Sequence, residues 1–293
     1  KPAKLSLYVA SDEKQTTLRR EKLKSGVTEA EPSPDGKTFA FGLHGDIWSV
    51  PIDRPKGAAG RGADIAKRLT DWVGEDSDFS WSPDGKHLYF TSDREFTTRI
   101  YELELATGKT QSLWNRDENV SGLKISPDGK QLGFWVAGKE GGLYMLDLAS
   151  RETRRVVRVP GPQWRGVGGG DYAWSPDMRW IAYTYRGESR AWNIWIVPAE
   201  GGSPVNVTRL YAHHSQPAWS PDGKYLFFQS NRDGDGLYAL PLTQEVIRSS
   251  DTDIQFQKPT NSVRVEIEFT DTSRRIRKVA SQNPQGDLTI TAE

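Results

Sequence analysis

Trp219-Ser220-Pro221-Asp222-Gly223-Lys224-Tyr225-Leu226-Phe227-Phe228 decides the fold, because the chain repeats it, with variations, four more times. Ser-Pro-Asp-Gly-Lys stands at 33–37, 82–86, 126–130 and 220–224, and a degenerate copy, Ser175-Pro176-Asp177-Met178-Arg179, fills the remaining slot. Successive serines lie 49, 44, 49 and 45 residues apart, a period that marks a repeat architecture. Trp81, Ile125, Trp174 and Trp219 precede the serine in four copies, and Pro32 in the other. In Pro-Asp-Gly, proline presets φ, aspartate bonds its own backbone and glycine accepts positive φ, so each copy is a turn.

A short alternating run follows each turn: Thr38–Phe41, His87–Phe90, Gln131–Phe134, Trp180–Tyr183 and Tyr225–Phe228. A further run comes next, at Asp46–Val50, Arg99–Leu103, Gly142–Leu146, Asn193–Val197 and Gly236–Leu240, and some units add a weaker one, such as Thr153–Val157 and Val205–Thr208. Four short strands per unit with turn residues between them describe a meandering antiparallel sheet. A single such sheet leaves both faces uncovered, so the units stack around an axis. The fold class is all-β, a β-propeller of four-stranded antiparallel blades. Blades are expected at about 28–75, 76–119, 120–169, 170–213 and 214–243, with a final blade shared between 275–293 and 1–27. Leu5–Ala10, Thr17–Lys22, Val263–Phe269, Arg275–Val279 and Asp287–Thr291 read as the terminal strands. Closing the ring removes its exposed sheet edges, which favours six blades over a truncated seven-bladed ring. Pro55–Gly62, Pro160–Gly170 and Gln244–Asn261 read as loops, so 1–293 is a single domain.

Composition bounds what such a domain does. The 293 residues carry 39 basic and 39 acidic side chains, and a neutral balance speaks against a dedicated nucleic-acid binder. Only 35% of residues are hydrophobic and mean hydropathy is −0.67. No window approaches the roughly 20 apolar residues of a spanning helix, so no membrane span is expected. Eleven Trp, ten Tyr and ten Phe supply the core material. The absence of cysteine excludes disulfides, thiolate metal sites and cysteine nucleophiles within this chain. Lys1–Gly26 lacks the apolar core of a signal peptide, so either a leader has been removed or the sequence is a piece of something longer. The compartment is left open, with a periplasmic or exported location favoured over a cytoplasmic one.

A serine nucleophile needs a base within hydrogen-bond reach, held by a third group. The histidines are His44, in the hairpin turn Leu43-His44-Gly45-Asp46, His87, at a strand start, and the pair His213-His214. The first two read as surface residues. No Gly-x-Ser-x-Gly elbow exists and the repeated serine is a turn residue, so no catalytic residue, metal site or cofactor is expected. Asn231–Gly236 lacks calcium-loop spacing and reads as a hairpin tip. Inner strands line a propeller's axis, so Glu29, Glu31, Asp76, Asp78, Ser121, Asp171, His213 and His214 are expected to ring one mouth of the channel. Such a ring binds a cation, a peptide amine or a polar side chain; the plainer alternative is hydrated loop residues. Adjacent histidines point to opposite sides of a strand and chelate poorly by themselves. Arg19-Arg20, Arg151–Arg158 and Arg274–Lys278 read first as solvated or edge-protecting faces.

The Trp-Ser-Pro-Asp-Gly-Lys units resemble the PD40 repeats of TolB-like propellers. Gly45–Pro51, Asp171–Tyr183 and Leu237–Leu242 resemble a propeller of tricorn-like proteases, and Val263–Phe269 with Arg274-Arg275-Ile276 is similar to the segment that follows it in that family. There the propeller precedes a PDZ module and a serine-peptidase core of the tail-specific (S41) type. The resemblance implies a non-catalytic module of a larger peptidase that docks or channels peptide or protein ligands, with PDZ and protease domains downstream in the same parent chain. Within such an assembly Arg154 and Arg155 would anchor a peptide carboxylate, and Trp164 and Arg165 would touch the peptide. Two rival parents remain: a stand-alone TolB-like scaffold of the cell envelope, and the propeller of an amidohydrolase-family enzyme.

Overall fold

The repeat turn closes the same way in every copy. Ser33 Oγ donates to Asp35 Oδ1 at 2.7 Å and accepts from the Thr38 N–H at 3.0 Å, while Asp35 Oδ1 accepts from the Lys37 N–H at 3.1 Å. The same bonds recur at Ser82, Ser126, Ser175 and Ser220. Gly36, Gly85, Gly129 and Gly223 hold φ between +66° and +71°, and Met178 takes φ +60° in the degenerate copy.

A computed structural model of the protein describes residues 26–53, 66–114, 116–159, 170–187, 191–249 and 262–281. Each turn joins the first two strands of a sheet. The first sheet holds β1 (Val27–Pro32), β2 (Thr38–Leu43), β3 (Asp46–Pro51) and β4 (Lys67–Arg68), and the second β5 (Asp76–Trp81), β6 (His87–Ser92), β7 (Arg99–Glu104) and β8 (Lys109–Ser112). The third holds β9 (Val120–Ile125), β10 (Gln131–Val136), β11 (Gly142–Asp147) and β12 (Thr153–Arg158), and the fourth β13 (Tyr172–Trp174), β14 (Trp180–Tyr185), β15 (Asn193–Pro198) and β16 (Val205–Asn206). The fifth is built from β17 (His214–Trp219), β18 (Tyr225–Ser230), β19 (Gly236–Pro241) and β20 (Arg277–Ala280). Neighbouring strands are antiparallel throughout, the blade architecture of a β-propeller. Two short helices, α1 (Gln244–Ser249) and α2 (Thr272–Arg275), follow β19; among the described residues no helix is long and apolar enough to cross a membrane.

The core lies between successive sheets. Ala40, Ile47, Phe79, Trp81, Leu88 and Phe90 join the first blade to the second. Tyr89, Ile100, Val120, Leu123 and Phe134 join the second to the third. Trp135, Leu143 and Met145 meet Tyr172, Ile181 and Tyr183, and Ala182, Ile194 and Ile196 meet Trp219, Leu226 and Phe228. A sheet clamped on both faces needs apolar side chains on both. Hence Leu132 and Phe134 of β10 face one neighbour while Trp135 faces the other.

Two C-terminal stretches differ from expectation. Arg275–Val279, read as part of a shared blade, overlaps β20, which instead closes the fifth sheet by pairing Leu237 with Ala280 and Tyr238 with Lys278. The chain leaves β19 into α1, so the open β19 edge is satisfied only when a later segment returns to it. Val263–Phe269 is extended but pairs with no strand. Val263, Val265, Ile267 and Phe269 pack into the core between the fourth and fifth blades, while the Val265 N–H donates to Asp177 Oδ2 at 2.7 Å and the Glu268 N–H to the Leu242 carbonyl at 2.9 Å. It is a strap under two repeat turns. The other expected strands, Leu5–Ala10, Thr17–Lys22 and Asp287–Thr291, lie outside the described residues, as do Trp164 and Arg165.

Candidate functional site

The first strands carry a recurring irregularity. Register slips between Val27 and Ala30 in β1, Ser77 and Ser80 in β5, Ser121 and Lys124 in β9, and Ser215 and Ala218 in β17. Within the last three bulges Asp78, Gly122 and Gln216 sit at φ +50°, +70° and +51°. A bulge frees backbone groups from the ladder and re-aims side chains. Here each freed N–H is taken by a carboxylate of the preceding blade.

Glu29 Oε1 accepts from the Asp78 N–H at 2.6 Å. Asp78 in turn accepts from the N–H groups of Gly122 and of Leu123, the latter at 3.2 Å. Asp171 Oδ2 accepts from the Gln216 N–H at 3.1 Å. Three residues expected at the channel mouth are thus clasps between blades. Tryptophan adds a second layer: Trp81 Nε1 donates to the Glu31 carbonyl at 3.3 Å, and Trp219 Nε1 to the Ala173 carbonyl at 3.1 Å.

Glu29, Glu31 and Asp78 are half-buried and close enough to feel one another's charge. Burial pushes Glu29 up to about 7, with the Asp78 charge adding to it and the Asp78 N–H opposing it. Burial likewise pushes Glu31 up to about 7, helped by Glu29 and opposed by Lys124. Asp78 is raised by burial against the pull of its two N–H donors. Lys124 escaped the sequence reading, although it is the one charged residue in Val120–Ile125. Its Nζ donates to the Tyr172 carbonyl at 2.9 Å, and the Tyr172 hydroxyl donates back to the Gly122 carbonyl at 2.8 Å.

Asp76 stands apart from this group. It is buried and paired with Arg94 Nη2 at 3.1 Å, and the guanidinium lies 4.4 Å from the Tyr101 ring centroid. Arg154 donates to the Ala199 carbonyl and, at 3.0 Å, to Gln131 Oε1, and Arg155 pairs with Glu140 at 2.7 Å. The five turn serines spend their hydroxyls on the turns. Among the described residues no three His, Cys, Asp or Glu side chains are placed to hold a metal ion.

Asp171, His213 and His214 do come together. With Thr184 and Trp192, which the sequence did not single out, they line a pocket of about 340 Å³ at the fourth and fifth blades. The His213 N–H donates to Asn231 Oδ1 at 2.8 Å. His214 is fully buried with its ring edge-on to Phe228, centroids 5.4 Å apart, and burial, then Arg232, then His213 lower its pKa to about 4.

No protein-family profile matches the chain. The uncharacterised peptidase YuxL of Bacillus subtilis (strain 168) is 29% identical over 157 residues, covering 53% of this chain and 22% of that protein. The Tol-Pal system protein TolB of Francisella tularensis subsp. holarctica (strain OSU18) is 28% identical over 161 residues, covering 52% and 35%. The match thus takes in well under half the length of either relative. Among solved structures, the tricorn protease aligns at TM-score 0.64 and 16% identity over 90% of this chain and 26% of that one. TolB from Acinetobacter baumannii aligns at 0.55 and 21% over 73% and 51%. Identities this low speak for the fold alone, and on repeat, sheet architecture and likeness together the chain is a TolB-like β-propeller.

Proposed function

We propose that this propeller is the non-catalytic peptide-docking or channelling module of a larger tricorn-like serine peptidase. The observation that carries the reading is the use of polar groups. The turn serines are consumed by structure, while Glu29, Glu31, Asp78 and Lys124 gather their charges on the first strands, even though Glu29, Asp78 and Lys124 also bond across to neighbouring blades. Such carboxylates with one lysine would meet an extended peptide's amides and charges, and the turn serines, bonded within their turns, offer it no free nucleophile. The likeness to the tricorn protease over 90% of the chain supports the same parent. PDZ and protease domains of that parent would be the partners, and no cofactor is required.

The test is to titrate the protein with fluorescently labelled extended peptides of ten to fifteen residues, about 35 to 50 Å long, and to follow anisotropy and cleavage together. Saturable binding without cleavage is expected. Cleavage by this chain overturns the non-catalytic reading, and absence of saturable binding overturns docking. The matches to TolB favour a second reading, a stand-alone scaffold in a periplasmic or exported envelope complex. A native protein of mass near 32.9 kDa would select the scaffold, and a much heavier one the peptidase.

A further inference from the structure

Two side chains that line the pocket at the fourth and fifth blades carry polar atoms the fold leaves unused. His214 is 0% exposed and neither ring nitrogen has a hydrogen-bond partner; Thr184 is 2% exposed and its Oγ1 has none either. Buried polar groups are almost always satisfied, so two such side chains on one pocket require an explanation. A core histidine set edge-on to an aromatic ring would need only its Phe228 contact, yet both residues also line the cavity. Asp171 stands at the same cavity with one carboxylate oxygen committed to the Gln216 N–H.

The chemistry of the lining selects the ligand. A neutral imidazole offers one lone pair and one N–H. The His214 lone pair, Thr184 Oγ1 and the Asp171 carboxylate make three acceptors, which matches the three donors of a primary ammonium. Trp192, also in the lining, brings an aromatic residue of the kind that attracts cations. The nearest competing cation, Arg232, is engaged elsewhere, donating to the Ser273 carbonyl at 3.1 Å and facing Asp233 at 3.6 Å. The remaining His214 N–H needs an acceptor, which an α-amine supplies through its own carbonyl and a lysine ε-amine does not. We infer that this pocket binds the free N-terminus of a peptide. The inference rests on the docking reading and adds to it the end of the peptide that is recognised.

A peptide with a free amino terminus and its N-acetylated twin, both carrying an internal lysine, are titrated into the protein. The free peptide is expected to bind at least tenfold tighter. His214→Phe and Thr184→Val are each expected to erase most of that difference while leaving the acetylated peptide's affinity unchanged. Because His214→Phe risks misfolding, the histidine ring resonances of the unaltered protein supply a second measurement, and the His214 signals should shift with the free peptide only. Equal binding of the two peptides overturns the amine pocket and leaves docking standing. If neither binds, docking falls and the pocket assignment with it.

Discussion

Ser220 shows how much structure one hydroxyl carries. It is fully buried, accepts from the N–H groups of Lys224 at 3.1 Å and Tyr225 at 2.9 Å, and donates to Asp222 at 2.6 Å. Replacing it by alanine strands the buried Tyr225 N–H, while the Lys224 N–H keeps Asp222 Oδ1 at 3.1 Å, at a cost of about 2 kcal/mol. Urea denaturation of Ser220→Ala should show that loss without a change in m-value. A loss below about 0.5 kcal/mol, the size of an ordinary surface substitution, would mean the turn holds without the hydroxyl. The turn role of this serine is legible in the sequence, because five copies of one motif at an even spacing can share only a repeated cause. Thr184 and His214 are not legible in this way. Nothing in Tyr183-Thr184-Tyr185 or His213-His214 tells which side chain turns inward and goes without a partner.

At the scale of the element, the bulged first strands matter most. The repeat calls for a strand ahead of each turn, and in Asp76–Trp81 the structure places a one-residue slip. The slip puts Asp78 at φ +50°, where it donates its N–H to Glu29 and receives those of Gly122 and Leu123. Asp78 thereby ties three consecutive blades. Asp78→Asn keeps an acceptor and a side chain that tolerates positive φ, so it should cost under about 1 kcal/mol. Asp78→Ala loses both and should cost about 3 kcal/mol. Amide hydrogen exchange at Gly122 should accelerate in the alanine variant and stay near native in the asparagine variant. Equal exchange in both would show that the Asp78 carboxylate does not hold the third blade. The strap at Val263–Phe269 carries a similar lesson: its period-2 pattern correctly marks one buried face, but pattern cannot say whether that face meets a sheet partner or a groove between blades.

For the molecule as a whole, buried ionisable groups give opposite pH trends. Glu29 and Glu31 titrate near 7 in the fold against 4.5 when unfolded. Their contribution is complete below about 4.5, declines as the unfolded chain ionises first, and is gone above about 7. His214, facing His213, Arg232 and the pocket's Asp171, moves the other way. It stays neutral in the fold while the unfolded chain protonates below 6.5, so stability falls from there to about pH 4. Glu31→Gln removes one ionisation and retains an acceptor. Its melting temperature should exceed that of the unaltered protein by several degrees at pH 8, and the gap should narrow at pH 4.5. An offset constant with pH would show that Glu31 does not titrate as its surroundings imply.

The repeat period, the four-strand unit, the turn chemistry and the all-β propeller class were determined by sequence alone, since each rests on local pattern or on a spacing that can be read along the chain. The tertiary structure decided how the carboxylates are used. Glu29, Asp78 and Asp171 become clasps because bulges in the next blade point N–H groups at them, and Asp76 is withdrawn into an ion pair with Arg94. It also decided that β20 closes the fifth blade from across α1 and the strap. The clasps and the closing strand join groups about 40 to 50 residues apart, and only the packing of one blade on the next, or the return of a distant strand to an open edge, brings them within hydrogen-bond reach.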